Sequence, residues 1–214
     1  DGYKAIAHLH PNVFTPDKNK LSEDIDRNKP FFFLRTVSAT STHDVGKRGL
    51  QDDVLEAIIP MLEKKGRVII NTERKLPEKF EKYVFDLNKN DIAYYIYFSK
   101  IFISDSTTMC AEAAVLGTPA IEIDDWYSDF TQYHELNGKY GLLFGFSTDE
   151  KDKITSKITE ILEMENSFEV FQSKRENMLR DKIDVSAFML WLCENFPQSA
   201  KEYMQDNSIQ SRFK

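Results

Sequence analysis

Cysteine is scarce in this sequence, and its two copies, Cys110 and Cys193, lie far apart without a CxxC partner. This spacing argues against a disulfide framework and against a cysteine-rich zinc site. Long hydrophobic runs are missing too, since no apolar stretch approaches the roughly 18 residues that cross a bilayer. With 8 glycines and 7 prolines, the chain also lacks low-complexity character. We therefore expect a cytoplasmic protein without a transmembrane segment.

Positive charge is in the minority. Lys and Arg number 28 against 35 Asp and Glu, which gives a net charge of −7. This balance argues against nucleic acid as a partner, but it leaves room for a local positive site for one phosphate group. Hydrophobic residues make up 41% of the chain and include 16 Phe and 9 Tyr, which is enough for a core. The 214 residues suit one large domain or two small ones.

Five short apolar runs, each about the length of a buried strand, alternate with helical patterns. The runs are 31–34, 67–71, 101–104, 119–123 and 142–146, and the helical patterns are 50–62, 90–99, 107–116, 128–138 and 149–163. This alternation predicts an α/β fold with a Rossmann-like parallel sheet flanked by helices. Ligands of such sheets bind beyond the carboxyl ends of the strands, so a site is expected in the loops that follow the runs.

The two ends of the chain differ from this central pattern. Residues 1–28 contain two short extended candidates and a charged run, whereas residues 165–206 look helical and carry no strand signal. Residues 207–214 are polar and are expected to be frayed. We therefore expect one domain at 29–164, with a lead-in before it and packed helices after it. The chain begins with Asp1 rather than Met, which indicates processing or a fragment of a longer chain.

The most informative stretch runs from Ser104 to Pro119. It has the pattern of a buried strand end, a hydroxyl-rich turn, an Ala-rich helix and a glycine stop. Asp105, Ser106 or Thr107 can cap this helix, and the free N–H groups of its first turn, together with the helix dipole, favour an anion such as a diphosphate.

Glu112 lies one helical turn beyond Thr108, on the same helix face. A carboxylate there repels phosphate but accepts hydrogen bonds from two vicinal hydroxyls, as a ribose offers. Spacing alone also fits a simpler explanation, since Ser, Asp and Thr are common caps and the helix dipole favours an early Glu. The candidate binding set in this stretch is Ser104, Asp105, Ser106, Thr107, Thr108 and Glu112.

The pattern Ser-Asp-Ser-x-x-x-x-x-Glu-Ala-x-x-Leu-Gly-x-Pro at 104–119 resembles the nucleotide-binding signature in the C-terminal domains of GT-B-fold enzymes. It is especially similar to that of the UDP-N-acetylglucosamine 2-epimerases. The resemblance implies that Ser106 and Thr107 contact the diphosphate and that Glu112 contacts the ribose. Those epimerases have two Gly after the second Ser, whereas this chain has Thr107 and Thr108. The two side chains either narrow the site or replace backbone contacts by hydroxyl contacts.

A wider match, covering roughly 1–163, is to an uncharacterised prokaryotic family of GT-B-like proteins found among polysaccharide genes. It is carried by 3–14, 35–50 and 104–145. This resemblance implies a missing N-terminal domain ahead of Asp1, a nucleotide-sugar substrate that is UDP-linked, and no separate cofactor. A homodimer is a further possible partner arrangement. The implied activity is that of a glycosyltransferase or a sugar-nucleotide 2-epimerase in surface polysaccharide synthesis, and the sequence does not separate the two.

Two further loops supply candidates. Arg35 and His43 follow the first apolar run, and by analogy with the epimerases His43 is predicted to transfer a proton or contact phosphate, with Arg35 as a charge clamp. The alternative is a surface loop that His43 and Asp44 merely order. Thr72, after the second run, is predicted to lie near the nucleotide because this loop does so in GT-B proteins.

No metal is expected. Asp124 and Asp125 follow the fourth run, where capping of the next helix is the preferred interpretation. His8 and His10 would share a face if they lay on a strand, but two ligands do not complete a metal site. A second class of function stays open beside the enzymatic one: a GT-B-like module that binds or scaffolds without catalysis. The double Thr at 107–108 is the sequence feature that allows it.

Overall fold

Five parallel strands form one sheet in the computed structural model, which describes residues 2–38, 48–129 and 131–214. Their order across the sheet is β2-β1-β3-β4-β5. The strands are β1 Phe31–Thr36, β2 Arg67–Thr72, β3 Phe102–Ser104, β4 Ala120–Ile123 and β5 Leu143–Phe146. The predicted α/β fold is confirmed, and each strand falls on one of the five apolar runs.

Helices cover the sheet and extend beyond it at the C-terminal end. They are α1 Ile6–Leu9, α2 Asp52–Glu63, α3 Glu78–Glu81, α4 Ile92–Phe98, α5 Thr107–Leu116, α6 Thr131–Gly138, α7 Lys151–Glu163, α8 Ser167–Asp181, α9 Val185–Glu194 and α10 Gln198–Gln205. Within the described ranges, none of them is long and apolar enough to cross a membrane.

The central strands carry continuous apolar runs because both of their faces are covered. Phe32, Phe33 and Leu34 in β1 are fully buried, and so are Phe102 and Ile103 in β3. The rings of Phe33 and Phe102 meet edge to face with their centroids 5.3 Å apart. Burial on both faces removes the alternation of polar and apolar residues that a half-exposed strand shows.

The strand register brings the carboxyl ends of the strands to a common edge. Ser104 at the end of β3 lies opposite Arg35 in β1 and opposite Glu122 in β4, and Glu122 lies opposite Gly145 in β5. Helix α5 begins directly at this edge. It ends at Gly117, whose positive φ of 75° suits a residue without a Cβ.

Both chain ends differ from the sequence expectation. Residues 6–9 form α1 rather than an extended segment, and α1 packs against α5 and α9. The tail, expected to be frayed, forms a 3₁₀ helix over Asn207–Phe213, and the Phe213 ring meets that of Phe188 edge to face and that of Trp191 at a tilt. Large aromatic contacts are sufficient to order a segment whose composition is otherwise polar.

An ion-pair network ties the lead-in to α6 and to the end of α8. The Tyr3 hydroxyl donates to Glu135 Oε2 at 2.5 Å, and Lys182 Nζ donates to the two oxygens of Glu135 at 2.8 and 2.7 Å. Burial, helped by Glu135, raises the pKa of Tyr3 well above its usual range. Lys182 is itself buried, so its charge depends on Glu135 for compensation.

We expect Lys182→Met to lower the free energy of unfolding by about 2 kcal/mol, because it leaves the Glu135 carboxylate without its buried cation. Lys139→Met is the matched control. Lys139 also pairs with acids, Asp181 at 2.7 Å and Glu135 itself at 3.8 Å, but its side chain is 54% exposed, so its loss should change stability by less than about 1 kcal/mol. Urea unfolding of both variants measures the difference, and equal effects would contradict this interpretation.

Candidate functional site

The turn between β3 and α5 is built by its own side chains. Ser104 Oγ accepts a hydrogen bond from the Ser106 N–H at 3.0 Å, and Ser104 is fully buried. Ser106 is the N-cap of α5, and its Oγ accepts from the Met109 N–H at 3.5 Å. Both serines therefore shape the turn. Of the three caps that the sequence allowed, the structure uses Ser106.

Asp105 holds two backbone segments together. Its carboxylate accepts from the Val37 N–H at 2.9 Å and from the Leu50 N–H at 3.0 Å. Gly49 passes so close that a Cβ added there would lie 2.4 Å from Asp105 Oδ2. Burial raises the pKa of Asp105 to about 6, although both N–H groups oppose the rise. Asp105 thus fixes the two flanks of the segment that joins β1 to α2.

A cavity of about 350 Å³ opens beside the first two turns of α5, between α1, α6 and β5. Hydroxyls, an ammonium group, an imidazole, an amide and one carboxylate line it. The polar lining residues are Lys4, His8, Thr107, Thr108, Glu112, Thr131, Gln132 and Tyr133. Of the predicted binding set, the structure therefore brings Thr107, Thr108 and Glu112 together, whereas Ser104, Asp105 and Ser106 do not line this cavity.

Glu112 is the acid of the cavity. Its side chain is 21% exposed, and its Oε1 lies 3.3 Å from His8 Nε2. Burial raises the pKa of Glu112, and the charges of His8 and Lys4, with a hydrogen bond from His8, oppose that rise. A half-buried carboxylate with a cation beside it can accept hydrogen bonds from ligand hydroxyls while it stays ionised.

A second acid lies deeper, where β4 ends. Glu122 is fully buried, and both of its carboxyl oxygens lack a hydrogen-bond partner of normal geometry in the part of the chain that the structure describes. Asp124 and Thr107 are its neighbours. Burial raises the pKa of Glu122 to about 8, and the charge of Asp124 contributes to this rise. Burial also raises the pKa of Asp124, to about 6. When one proton is shared between Glu122 and Asp124, the protonated carboxyl group donates a hydrogen bond to the other, so their contact is favourable.

The sequence predicted that Asp124 and Asp125 cap α6. In the structure they organise turns instead. Asp124 Oδ1 accepts from the Trp126 N–H at 2.8 Å. Asp125 pairs with Arg48 at 3.1 Å and accepts from the Ser147 hydroxyl at 2.9 Å. Among the described residues, no group of three His, Cys, Asp or Glu side chains is arranged to hold a metal ion.

The remaining predicted residues lie elsewhere. Arg35 forms a close ion pair with Glu73 and a hydrogen bond to Asn71, so its charge is compensated within the protein. Thr72 bonds to the Thr36 hydroxyl at 2.7 Å and lies on edge strand β2. Neither residue lines the cavity. His43 lies outside the described residues, and its predicted role stays a prediction.

Sequence reasoning missed Lys4, His8 and Glu122. The spacing of His8 and His10 suggested a shared strand face, but the helix turns them apart: His8 faces Glu112, and His10 lies 3.6 Å from Asp184. The buried residues Ala5, Ile6 and Leu9 carried the signal, because their spacing is helical. For Glu122 the signal was a lone acid within a buried apolar run, Ala120–Ile123.

No protein-family model matches the sequence, and no curated protein matches it. Solved structures, by contrast, match this chain in fold. A provisionally assigned UDP-N-acetylglucosamine 2-epimerase from Listeria monocytogenes superposes with a TM-score of 0.54 at 16% identity, over 79% of this chain and 46% of its own. The complex of S. aureus MnaA with UDP gives 0.56 at 16% identity, over 77% and 46%. The spinosyn rhamnosyltransferase SpnG with spinosyn aglycone gives 0.50 at 13% identity, over 84% and 48%.

The chain has a GT-B-like, Rossmann-type fold. The likeness extends to epimerases and glycosyltransferases alike, so it does not favour one activity over the other. The chain spans about half the length of these solved structures. At identities of this order, the comparisons show the shared fold, and the chemistry of the site has to be argued from the residues themselves.

The Asp105 contacts predict a structural cost for their loss. Asp105→Ala should lower the free energy of unfolding by about 2–4 kcal/mol, because it leaves two backbone N–H groups near the sheet edge without an acceptor. Asp105→Asn should cost less, since its amide oxygen keeps one of the two bonds. Urea unfolding ranks the two variants, and the reverse ranking would contradict the role assigned to this carboxylate.

The buried acids predict an unusual pH dependence of stability. Because the pKa values of Glu122 and Asp124 are about 8 and 6 in the folded protein, above those of an unfolded chain, the folded state binds more protons in between. Their contribution to stability is therefore fully present below about pH 4, the pKa of such groups in an unfolded chain, and is lost progressively as the pH rises to about 8.

Glu122→Gln removes this titration and keeps the shape of the side chain. The variant should be more stable than the wild type at about pH 9, by at least about 1 kcal/mol, and its stability should vary less with pH. Exposed Glu78 on α3 provides the control, since Glu78→Gln should leave the wild-type curve unchanged. Chemical denaturation at several pH values measures these curves, and parallel curves for all three proteins would rule out a buried proton on Glu122.

Proposed function

We propose that this chain is the nucleotide-sugar-binding lobe of a glycosyltransferase or a sugar-nucleotide 2-epimerase that acts in surface polysaccharide synthesis. The ligand is a nucleoside diphosphate sugar, with UDP as its nucleotide. One observation carries the proposal: Glu112 and the hydroxyls of Thr107 and Thr108 line one cavity at the start of α5. The resemblance of 104–119 to the epimerase signature assigns the same residues to a nucleotide.

The chemistry of the cavity suits such a ligand. The first N–H groups of α5, the helix dipole and the Thr hydroxyls favour the diphosphate, and Lys4 and His8 add positive charge to the same cavity. Glu112 then accepts hydrogen bonds from the ribose hydroxyls one turn further along. These groups stabilise a leaving diphosphate electrostatically, with no resident cofactor required by the proposal.

His43 is the proposed acid–base residue, with Arg35 as a charge partner. The ion pair of Arg35 with Glu73 fits two roles for Arg35. One is structural, to hold β1 and β2 together at this edge, and the other is a direct contact with the ligand. This observation favours a second candidate function, a GT-B-like binding module without catalysis. If the protein is an enzyme, a missing N-terminal domain would complete its active site. If it is a binding module, that domain would only be linked to it.

Calorimetric titration of the chain with UDP, ADP, GDP and CDP tests the binding proposal. We expect UDP to bind most tightly, and Glu112→Ala to weaken its binding by about tenfold through the loss of charge-assisted hydrogen bonds. Thr108→Val, which removes a hydroxyl but keeps the shape, should weaken it less. Glu176→Ala on the exposed face of α8 serves as the control and should bind as the wild type does.

Binding of none of the four nucleotides would overturn the proposal for this chain. Binding that all variants share equally would place the ligand elsewhere in the protein. Transfer or epimerisation assays on a chain that includes an N-terminal domain would then separate the enzyme from the binding module, with His43→Ala as the decisive variant.

A further inference from the structure

Helix α1 forms one wall of the cavity, and its position is fixed from the opposite side. Ile6 and Leu9 are buried, Ser186 on α9 hydrogen-bonds to the Ala7 carbonyl, and His10 pairs with Asp184. Gly2 packs so closely on α9 that an added Cβ would lie 2.6 Å from Val185 Cγ2. The lead-in is thus docked, and His8 is held over α5.

The side chain that α1 presents to Glu112 is an imidazole. His8 Nε2 lies 3.3 Å from Glu112 Oε1, and in the part of the chain that the structure describes His8 is the residue that pairs with this carboxylate. Lys4, also on the cavity wall, acts on Glu112 through its charge. The imidazole therefore occupies one oxygen of the carboxylate and leaves the other to a ligand.

A carboxylate that binds two vicinal hydroxyls has to be ionised and fixed in orientation, since each hydroxyl donates to one of its lone pairs. Burial works against ionisation of Glu112, and the contact with His8 works for it. The contact also limits rotation of the carboxyl group about its last bond. His8 therefore supplies both of the conditions that a ribose contact at Glu112 needs.

We propose that His8 is a positioning residue that holds the Glu112 carboxylate for the ribose hydroxyls of the bound nucleotide. This inference rests on the proposed function and adds a part of the site that lies outside the 104–119 motif. The nucleotide site then has two walls, one from α5 and one from the lead-in helix α1.

The test compares UDP with 2′,3′-dideoxy-UDP, which lacks both ribose hydroxyls. The wild type should bind UDP about tenfold or more tightly than the dideoxy ligand, the difference expected for hydrogen bonds to a charged group. In His8→Ala the ratio of the two affinities, that for UDP over that for the dideoxy ligand, should fall close to one. His8→Gln keeps an N–H donor and should restore part of the ratio.

His134→Ala is the matched control. His134 lies on α6, bonds to the Ser128 carbonyl and does not line the cavity, so its loss should leave the ratio unchanged. A merely structural role for His8 predicts that His8→Ala weakens both ligands equally and keeps the ratio, which would overturn the inference. Failure of the wild type to bind either ligand would instead overturn the proposed function and the ribose role with it.

A measurement without ligand adds an independent readout. The carboxyl carbon of Glu112, followed by ¹³C NMR, should titrate at a higher pH in His8→Ala than in the wild type, because His8 lowers the pKa of this group. The His134→Ala curve should coincide with the wild type. An unchanged Glu112 titration in His8→Ala would show that the imidazole does not hold the carboxylate, whatever the binding experiments give.

Discussion

Two residues separate the end of β3 from the start of α5, and the arrangement of the site depends on this short connection. The strand is buried on both faces, so its end cannot shift without loss of the core contacts of Phe102 and Ile103. The Ser104 and Ser106 bonds close the turn, and α5 is packed against α1, α4 and α8. The position of the first free N–H groups of α5 is therefore set by the core of the domain. The direction of its dipole is set in the same way.

That constraint extends to the neighbouring loops through Asp105. Its carboxylate joins Val37, directly after β1, to Leu50, two residues before α2, so both positions are held at the start of α5. The sequence motif presents Asp105 as a ligand-binding residue, but its geometry makes it an organiser of backbone. The chemical pattern around this helix start thus divides into two parts. Ser104, Asp105 and Ser106 build the turn, and Thr107, Thr108 and Glu112 face the cavity.

The sequence predicted the sheet well because the strands are buried on both faces, which leaves continuous apolar runs such as 31–34 in β1. It failed where local pattern and tertiary contact disagree. Helix α1 has only four residues, so the helical spacing of its buried side chains is a weak signal. The tail is ordered by the ring contacts of Phe213 and by burial of Ile209, which its polar composition does not reveal. Within the site, Glu112 was found through its spacing from Thr108 on one helix. His8 was not assigned to it, because a contact across 104 residues has no local signature.

The electrostatics of the cavity follow from this combination of near and distant residues. Four carboxyl groups lie near the start of α5, those of Asp105, Glu112, Glu122 and Asp124, and they would oppose an anion there if all were charged. The buried pair avoids part of that repulsion because Glu122, with a pKa of about 8, holds a proton at neutral pH. His8 on α1 and Lys4 just before it oppose the rise that burial causes in the pKa of Glu112. A domain with net negative charge thereby keeps hydroxyl and nitrogen donors beside the start of α5, the place proposed for the diphosphate and the ribose. The lead-in helix is as much a part of that place as the motif itself.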